Sequence, residues 1–407
     1  MSVRKRTWEN SDGSHGEAWI ASYTSQKDGK RTRHIRSFDR KRDADDFHAS
    51  VSIDKRSGLH VPDSQSIMVA EAGRLWLQSC EAAGLERATL TYYRQHLELH
   101  IIPLLGAVKL SRLTAPMVRA FEDKLARDRS QAMVRKARGS LGAILADAQE
   151  RGLVGQNVVR NLRARRRRGN EARADKRQKG KLKIGVHIPA PDEIRALIQA
   201  LDGRWRPLLL TAIFSGLRAS ELRGLRWSDL DLKAGELHVR QRADFFNTIG
   251  QPKSEAGERT IPLPPMVVMT LREHKLSCPK GKLDLVFPNG SGNIENLTNI
   301  VARGLKPAMI AAGVTVPVLD EDGKPAKDDE GKPMVLAKYT GLHSLRHFYA
   351  SWCINRRVDG GLELPLKVVQ ARMGHSTITL TADRYGHLFP RGDDGAELAA
   401  AEKMFLG

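Results

Sequence analysis

The chain has 407 residues, enough for two or three domains with separate hydrophobic cores. It carries 67 Lys and Arg against 47 Asp and Glu, a formal charge of +20, with 41% hydrophobic and 28% charged residues. That balance excludes a wholly disordered chain, three cysteines exclude a disulfide scaffold or a four-thiolate metal site, and no apolar run approaches the ~20 residues of a bilayer span.

Few cysteines and an N-terminal MSVRKRTWENSDGS without the apolar stretch of a secretory leader lead us to expect a cytoplasmic protein. The charge draws the chain toward polyanions. Membrane docking is disfavoured because no long amphipathic helix with an aromatic face occurs. Aromatics are 5% of residues, which argues against a surface built mainly for base stacking.

Residues 1–64 read as a small module. EAWIASYT and KRTRHIRSF are strand-like on either side of the Asp28-Gly29 turn signal, and Asp39 caps a helix with Ala44, Phe47 and Val51 on one face. The strands carry Lys30, Arg31, Arg33 and Arg36, a face suited either to DNA or merely to solvent.

Residues 65–162 read as all-helical. Met68, Ala72, Leu75 and Trp76 recur at helical spacing. A second helix runs from Thr89 to Ile102, where Pro103 and Gly106 interrupt it; a third has Pro116 in its first turn, and a fourth spans Ser130 to Arg151. Arg94, Lys136 and Arg138 are its candidate DNA contacts, a structural spacer being the alternative. Residues 163–185 follow as a basic linker. Its Arg165, Arg166, Arg167 and Arg168 can track a phosphate backbone but carry no base specificity.

Residues 186–390 form a mainly helical, α+β domain. Pro191 and Asp192 open its first helix, and RPLLLTAIFSGLRASEL gives two helices around a glycine corner. LDLKAGELHVR, TIPLPP and LDLVFP read as strands, MVVMTLREHKL and NLTNIVARGLKPAMIAAG as helices. Residues 319–333 form a polar, net acidic hairpin or flexible insertion. Residues 391–407 hold a short helix with Leu398, Met404 and Phe405, too short to stand alone in water, so it must dock on its own domain or on a neighbour. No internal repeat is found.

Four strings in the third domain combine into a chemistry. Arg218 and Glu221 lie in SGLRASEL, Lys253 in PKSEAGERTIPLP, His343, Arg346 and His347 in HSLRHFYAS, and His375 and Tyr385 in ARMGHSTITLTADRYGHLFP. Singly each has a bland reading. Together, two arginines can clamp one phosphate, a lysine can protonate a leaving alkoxide, histidines can move a proton, and a tyrosine can attack phosphorus. No metal-ligand pattern accompanies them, so charge stabilisation is assigned to arginine, with no metal or cofactor.

These strings resemble the phage-type integrases of the tyrosine recombinase family, closely after Val186 and more loosely before it. The resemblance implies a small DNA-binding N-terminal module, a helical core-binding domain and a catalytic domain. It implies Arg218 and Arg346 as the catalytic arginines, Lys253 as the hairpin lysine, His343 and His375 as the histidines, Tyr385 as nucleophile and Glu221 as an acidic support. It further implies cleavage and rejoining of duplex DNA through a 3′-phosphotyrosyl link, within a homotetramer that engages core sites and distal arm sites. A directionality factor and a host DNA-bending protein are implied as accessory partners. Resolving recombinases, type IB topoisomerases and a catalytically silent DNA-binding regulator are the competing readings. The extra N-terminal module favours an element that integrates and excises.

Overall fold

The computed structural model describes residues 2–27, 30–56, 61–63, 66–162, 182–252, 254–320, 322–389 and 394–407, excepting the side chains of 25–27, 30, 54, 394, 396 and 397. The expected Asp28-Gly29 turn, most of the basic linker and Lys253 lie outside the described residues. By internal contact the chain divides into two units, Met1–Arg166 and Arg167–Gly407.

The first unit begins with an antiparallel meander of β1 (Ser2–Glu9), β2 (His15–Lys27) and β3 (Lys30–Phe38), covered by α1 (Lys41–Arg56). Sequence reading finds only β2 and β3. β1 is an edge strand rich in Arg and Lys, so it lacks the apolar alternation that marks a half-buried strand. The register pairs Tyr23 with His34 and Ala21 with Arg36. These residues share the face on which Tyr23 and Phe38 meet Phe47 of α1.

The rest of the unit is helical: α2 (Val69–Ala82), α3 (Arg87–His96), α4 (Ala115–Asp128) and α5 (Gln131–Glu150). Trp76, Leu97, Ile101, Phe121, Leu141 and Ile144 form their core. The helix begun by α3 does not stop before Pro103, contrary to expectation. It passes through a π-helical turn, Leu97–Ile101, and continues over Ile102–Leu105. A register shift of that kind is how a helix accommodates a proline that has no N–H to give and whose ring crowds the preceding turn.

The second unit packs helices around small sheets. α6 (Pro191–Ala200), α7 (Arg206–Ser215) and α8 (Ala219–Gly224) come first. β4 (Leu230–Asp231), β5 (Glu236–Val239) and β8 (Arg259–Pro262) form one antiparallel sheet in the order β4-β5-β8, and β6 (Arg242–Ala243) pairs with β7 (Ile249–Gly250). Then follow α9 (Pro265–Ser277), α10 (Lys306–Ala311), the pair β9 (Thr315–Pro317) and β10 (Val335–Ala337), and α11 (His343–Ile354). α12 (Leu366–Met373), α13 (Ile378–Tyr385) and α14 (Asp394–Leu406) close the chain. α7 and α11 are buried almost all round, and Leu209, Ile213, Leu345, Tyr349 and Val369 belong to the central cluster. The fold is thus a small β-sheet plus helix, an all-α region and a mainly helical α+β region.

Two further expectations need correction. LDLVFP is not a strand: it contributes only the single bridges Arg226–Leu285 and Pro288–Ile294, because no neighbouring segment runs alongside it for longer. The insertion at 319–333 does contain a short repeat, six residues long. Asp-x-x-Gly-Lys-Pro occurs at 320–325 and again at 328–333. The carboxylates of Asp320 and Asp328 each accept two backbone N–H groups of their own turn, at 2.8 and 3.0 Å. A cycle of backbone bonds ties the turns together: Val318 donates to Met334, Met334 to Ala326, and Ala326 to Val318.

Candidate active site

α7 ends at Gly216, whose φ of +62° suits glycine and where a Cβ would stand 2.3 Å from the Tyr349 ring. The chain then turns and presents Arg218 at the N-cap of α8. One turn on, the Glu221 carboxylate accepts the Arg218 backbone N–H at 2.9 Å and its guanidinium at 2.6 Å. Arg259 of β8 binds the same carboxylate at 2.8 Å. Burial alone would raise the Glu221 pKa, but Arg259 and then Arg218 outweigh it and bring it to about 2.

The C-terminus of α12 holds the guanidinium groups from the other side. Arg259 Nε donates to the Arg372 carbonyl at 2.8 Å, Arg346 Nη2 to Met373 at 2.5 Å, and Arg218 Nη2 to Gly374 at 2.7 Å. These three consecutive carbonyls are the groups a helix end leaves unsatisfied, and the end carries partial negative charge. Gly374, at φ +61°, closes the helix. Arg346 also donates to the Gly216 carbonyl, which links both corners. Burial and the nearby Arg218 lower the Arg346 pKa to about 9, so it stays charged at neutral pH.

Tyr385 ends α13 with its ring 1% exposed. Burial pushes its phenol up to about 12, opposed by Arg346 and Arg384. Its hydroxyl lies 2.6 Å from His347 Nδ1. His375 stacks on its ring, centroids 6.3 Å apart and planes within 6°, and is tethered to Thr381 Oγ1 at 2.9 Å. His343, on the outer edge, meets His347 edge to face at 4.5 Å. His347 and His375 are both lowered to about 3, first by burial; His343 beside His347 and Arg346 beside His375 add most to it. Partial desolvation, then Arg346, Arg384 and Arg218, also lower His343.

The structure therefore brings together Arg218, Glu221, His343, Arg346, His375 and Tyr385, while Lys253 lies outside the described residues. Sequence reading gave no role to Arg259 or His347. Both stand inside strings that carry the other site residues. The available signals were the arginine of GERTIPL, one strand from the hairpin, and the second histidine of HSLRH, one helical turn after His343.

The other candidate DNA contacts separate. By strand alternation Arg31 and Arg33 share the face away from α1 with Arg4 and Arg6 of β1, which sequence reading missed. Arg36 is on the helix side, its guanidinium 4.9 Å from the Phe47 ring centre. The side chain of Lys30 and all of Arg165, Arg166, Arg167 and Arg168 lie outside the described residues. Arg94 pairs with Glu81 at 2.9 Å and Arg138 with Glu122 at 3.2 Å, whereas Lys136 is exposed.

The profile of the phage integrase family matches residues 190–391, a span containing Arg218, Glu221, Arg259, His343, Arg346, His347, His375 and Tyr385. The chain belongs to that family. It is similar to a tyrosine recombinase XerC-like protein of Caldanaerobacter subterraneus subsp. tengcongensis, 25% identical over 363 residues and 83% of each chain. Among solved structures, this family member resembles the Tn1549 transposon integrase with a circular intermediate DNA (TM-score 0.59, 16% identity, 83% of this chain and 100% of that one). It also resembles the lambda integrase tetramer bound to a Holliday junction (TM-score 0.54, 17% identity, 92% and 96%), so the tripartite architecture is shared over most of its length.

Proposed function

We propose that the chain is a site-specific recombinase that cuts and rejoins duplex DNA through a 3′-phosphotyrosyl intermediate, integrating and excising a mobile element. The observation that carries this reading is one linked cluster of Arg218, Arg346, three histidines and the buried Tyr385, whose hydroxyl meets His347 and whose ring meets His375. Glu221 and the α12 carbonyls bind part of each guanidinium, and fixed guanidinium groups suit a transition state in which charge grows on nonbridging phosphate oxygens. In this reading Tyr385 attacks phosphorus, Arg218 and Arg346 stabilise the pentacoordinate state, and His375 donates to a nonbridging oxygen. His343 assists proton movement, and Lys253 protonates the departing 5′-oxygen. The 5′-hydroxyl of the partner strand then attacks the phosphotyrosyl bond, and no external energy source enters.

Residues 1–64, 65–162 and 186–390 are proposed as the arm-site, core-site and catalytic domains, with 163–185 as a basic linker along the phosphates. Arg31, Arg33, Arg36, Arg94, Lys136, Arg138 and Lys30 remain candidate contacts. The working assembly is a tetramer on core and arm sites, joined in one direction by a directionality factor and helped by a host DNA-bending protein. We expect it at the DNA in the cytoplasm.

The test is strand exchange between two labelled duplexes carrying the DNA that flanks the element's own gene. Recombinant duplexes with conserved ends are expected. Relaxation of any supercoiled plasmid, without exchange and without site preference, would instead identify a type IB topoisomerase.

A further inference from the structure

His347 Nδ1 stands 2.6 Å from the Tyr385 hydroxyl, and both side chains are buried. The imidazole is held by α11 and the phenol by the last residue of α13, so the contact joins two elements that share the core. The charged and titratable groups facing the pair are His343 and Arg346 from α11, Arg384 from α13, His375 from the corner after α12, and His187 before α6. No carboxylate stands among these groups. A buried phenol with a raised pKa is a poor nucleophile until its proton has somewhere to go. Among the groups described around Tyr385, His347 is the one with a ring nitrogen at hydrogen-bond distance from the hydroxyl.

We propose that His347 is a further catalytic residue, the base that takes the Tyr385 proton during attack on phosphorus. The inference rests on Tyr385 being the nucleophile. The reacting tautomer carries its proton on Nε2 and leaves Nδ1 as acceptor. As the Tyr385 oxygen–phosphorus bond forms, the phenolic proton passes to Nδ1. The bond from phosphorus to the 5′-oxygen breaks, and that oxygen takes its proton from Lys253. Rejoining reverses each transfer. Burial first, and then the neighbouring His343, Arg384 and Arg346, keep the ring neutral before DNA arrives. A bound phosphodiester adds one negative charge beside it, which offsets the arginines and raises its proton affinity when attack begins.

The test is single-turnover adduct formation by the full-length chain on a nicked core-site duplex, from pH 6 to 9. His347→Asn places an amide oxygen near the position of Nδ1, keeping the acceptor while removing the base. We expect native-like duplex binding and a cleavage rate reduced about 100-fold near neutral pH. The variant's rate should rise with pH, about tenfold per unit, because the phenol must ionise first, while the parent stays nearly flat. Replacing Tyr385 by 3,5-difluorotyrosine, a more acidic phenol, should recover much of the variant's loss. A parental rate in the variant, or an equal loss at every pH with no recovery, overturns the proposal. Should the Asn chain fail to bind duplex, His347→Gln is scored by the same criteria. Adduct formed by Tyr385→Phe would instead refute the nucleophile assignment beneath it.

Discussion

At 3% exposure Glu221 holds a charge between Arg218 and Arg259, and that charge has a measurable signature. Its folded pKa, about 2, lies below the ordinary 4.5, so its stabilisation is present above about pH 5 and is lost as pH falls toward 2. A shift of that size corresponds to about 3 kcal/mol. Glu221→Gln should lower stability by about 3 kcal/mol at pH 7 and flatten the acid limb of a urea-denaturation series. An unchanged acid limb would show that the arginines are held by backbone carbonyls without help from the Glu221 charge. Gly216→Ala is predicted to cost at least ~1 kcal/mol from its positive φ and more from the Tyr349 ring, read as a lower Tm. At this scale the sequence made the motif residues legible, because SGLRASEL, HSLRH and MGH...Y are local strings. Arg259 and His347 stayed without a role, since their partners lie 38 residues away in the chain and only folding brings them together.

Among the elements, the terminal helix α14 leaves Leu398, Met404, Phe405 and Leu406 between 68% and 89% exposed. An isolated helix of this length is marginal, so these side chains need a surface beyond what covers them here. Truncation after Pro390 should leave single-site duplex binding near normal, lower tetramer yield on paired sites and disturb the order of strand cleavage. Full synapsis by the truncated chain, measured by gel shift on two-site DNA, would contradict docking on a neighbouring protomer. The position of α2 was readable from 3.6-residue periodicity, with Ala72, Leu75 and Trp76 at helical spacing. What escaped were β1, whose two faces each carry charged and polar residues with a single apolar one, and the passage of a helix through Pro103, which depends on a local register change that no propensity records.

Over the whole molecule, a charge of +20 suits several DNA-contacting surfaces, and the sheet face with Arg4, Arg6, Arg31 and Arg33, opposite Phe47 of α1, is proposed as one of them, apart from the catalytic site. Deleting residues 1–64 should abolish footprints on distal sites while sparing cleavage of a core-site duplex. Loss of core binding with distal binding retained would reverse the assignment. Replacing Arg165, Arg166, Arg167 and Arg168 with alanine should weaken core binding of all sequences alike and reduce the salt slope by about one per lost phosphate contact. The three-part layout was legible from composition shifts between segments, whereas the reach of each surface depends on tertiary placement. That Tyr385 carries the broken strand is tested by trapping the reaction on a nicked core-site duplex and mapping the nucleotide-bearing peptide by mass spectrometry. A 3′-phosphate linked to Tyr385 is expected, with no covalent product from Tyr385→Phe despite normal duplex binding. A nucleotide found on another residue, or adduct formed at the parental rate by the Phe chain, would contradict it.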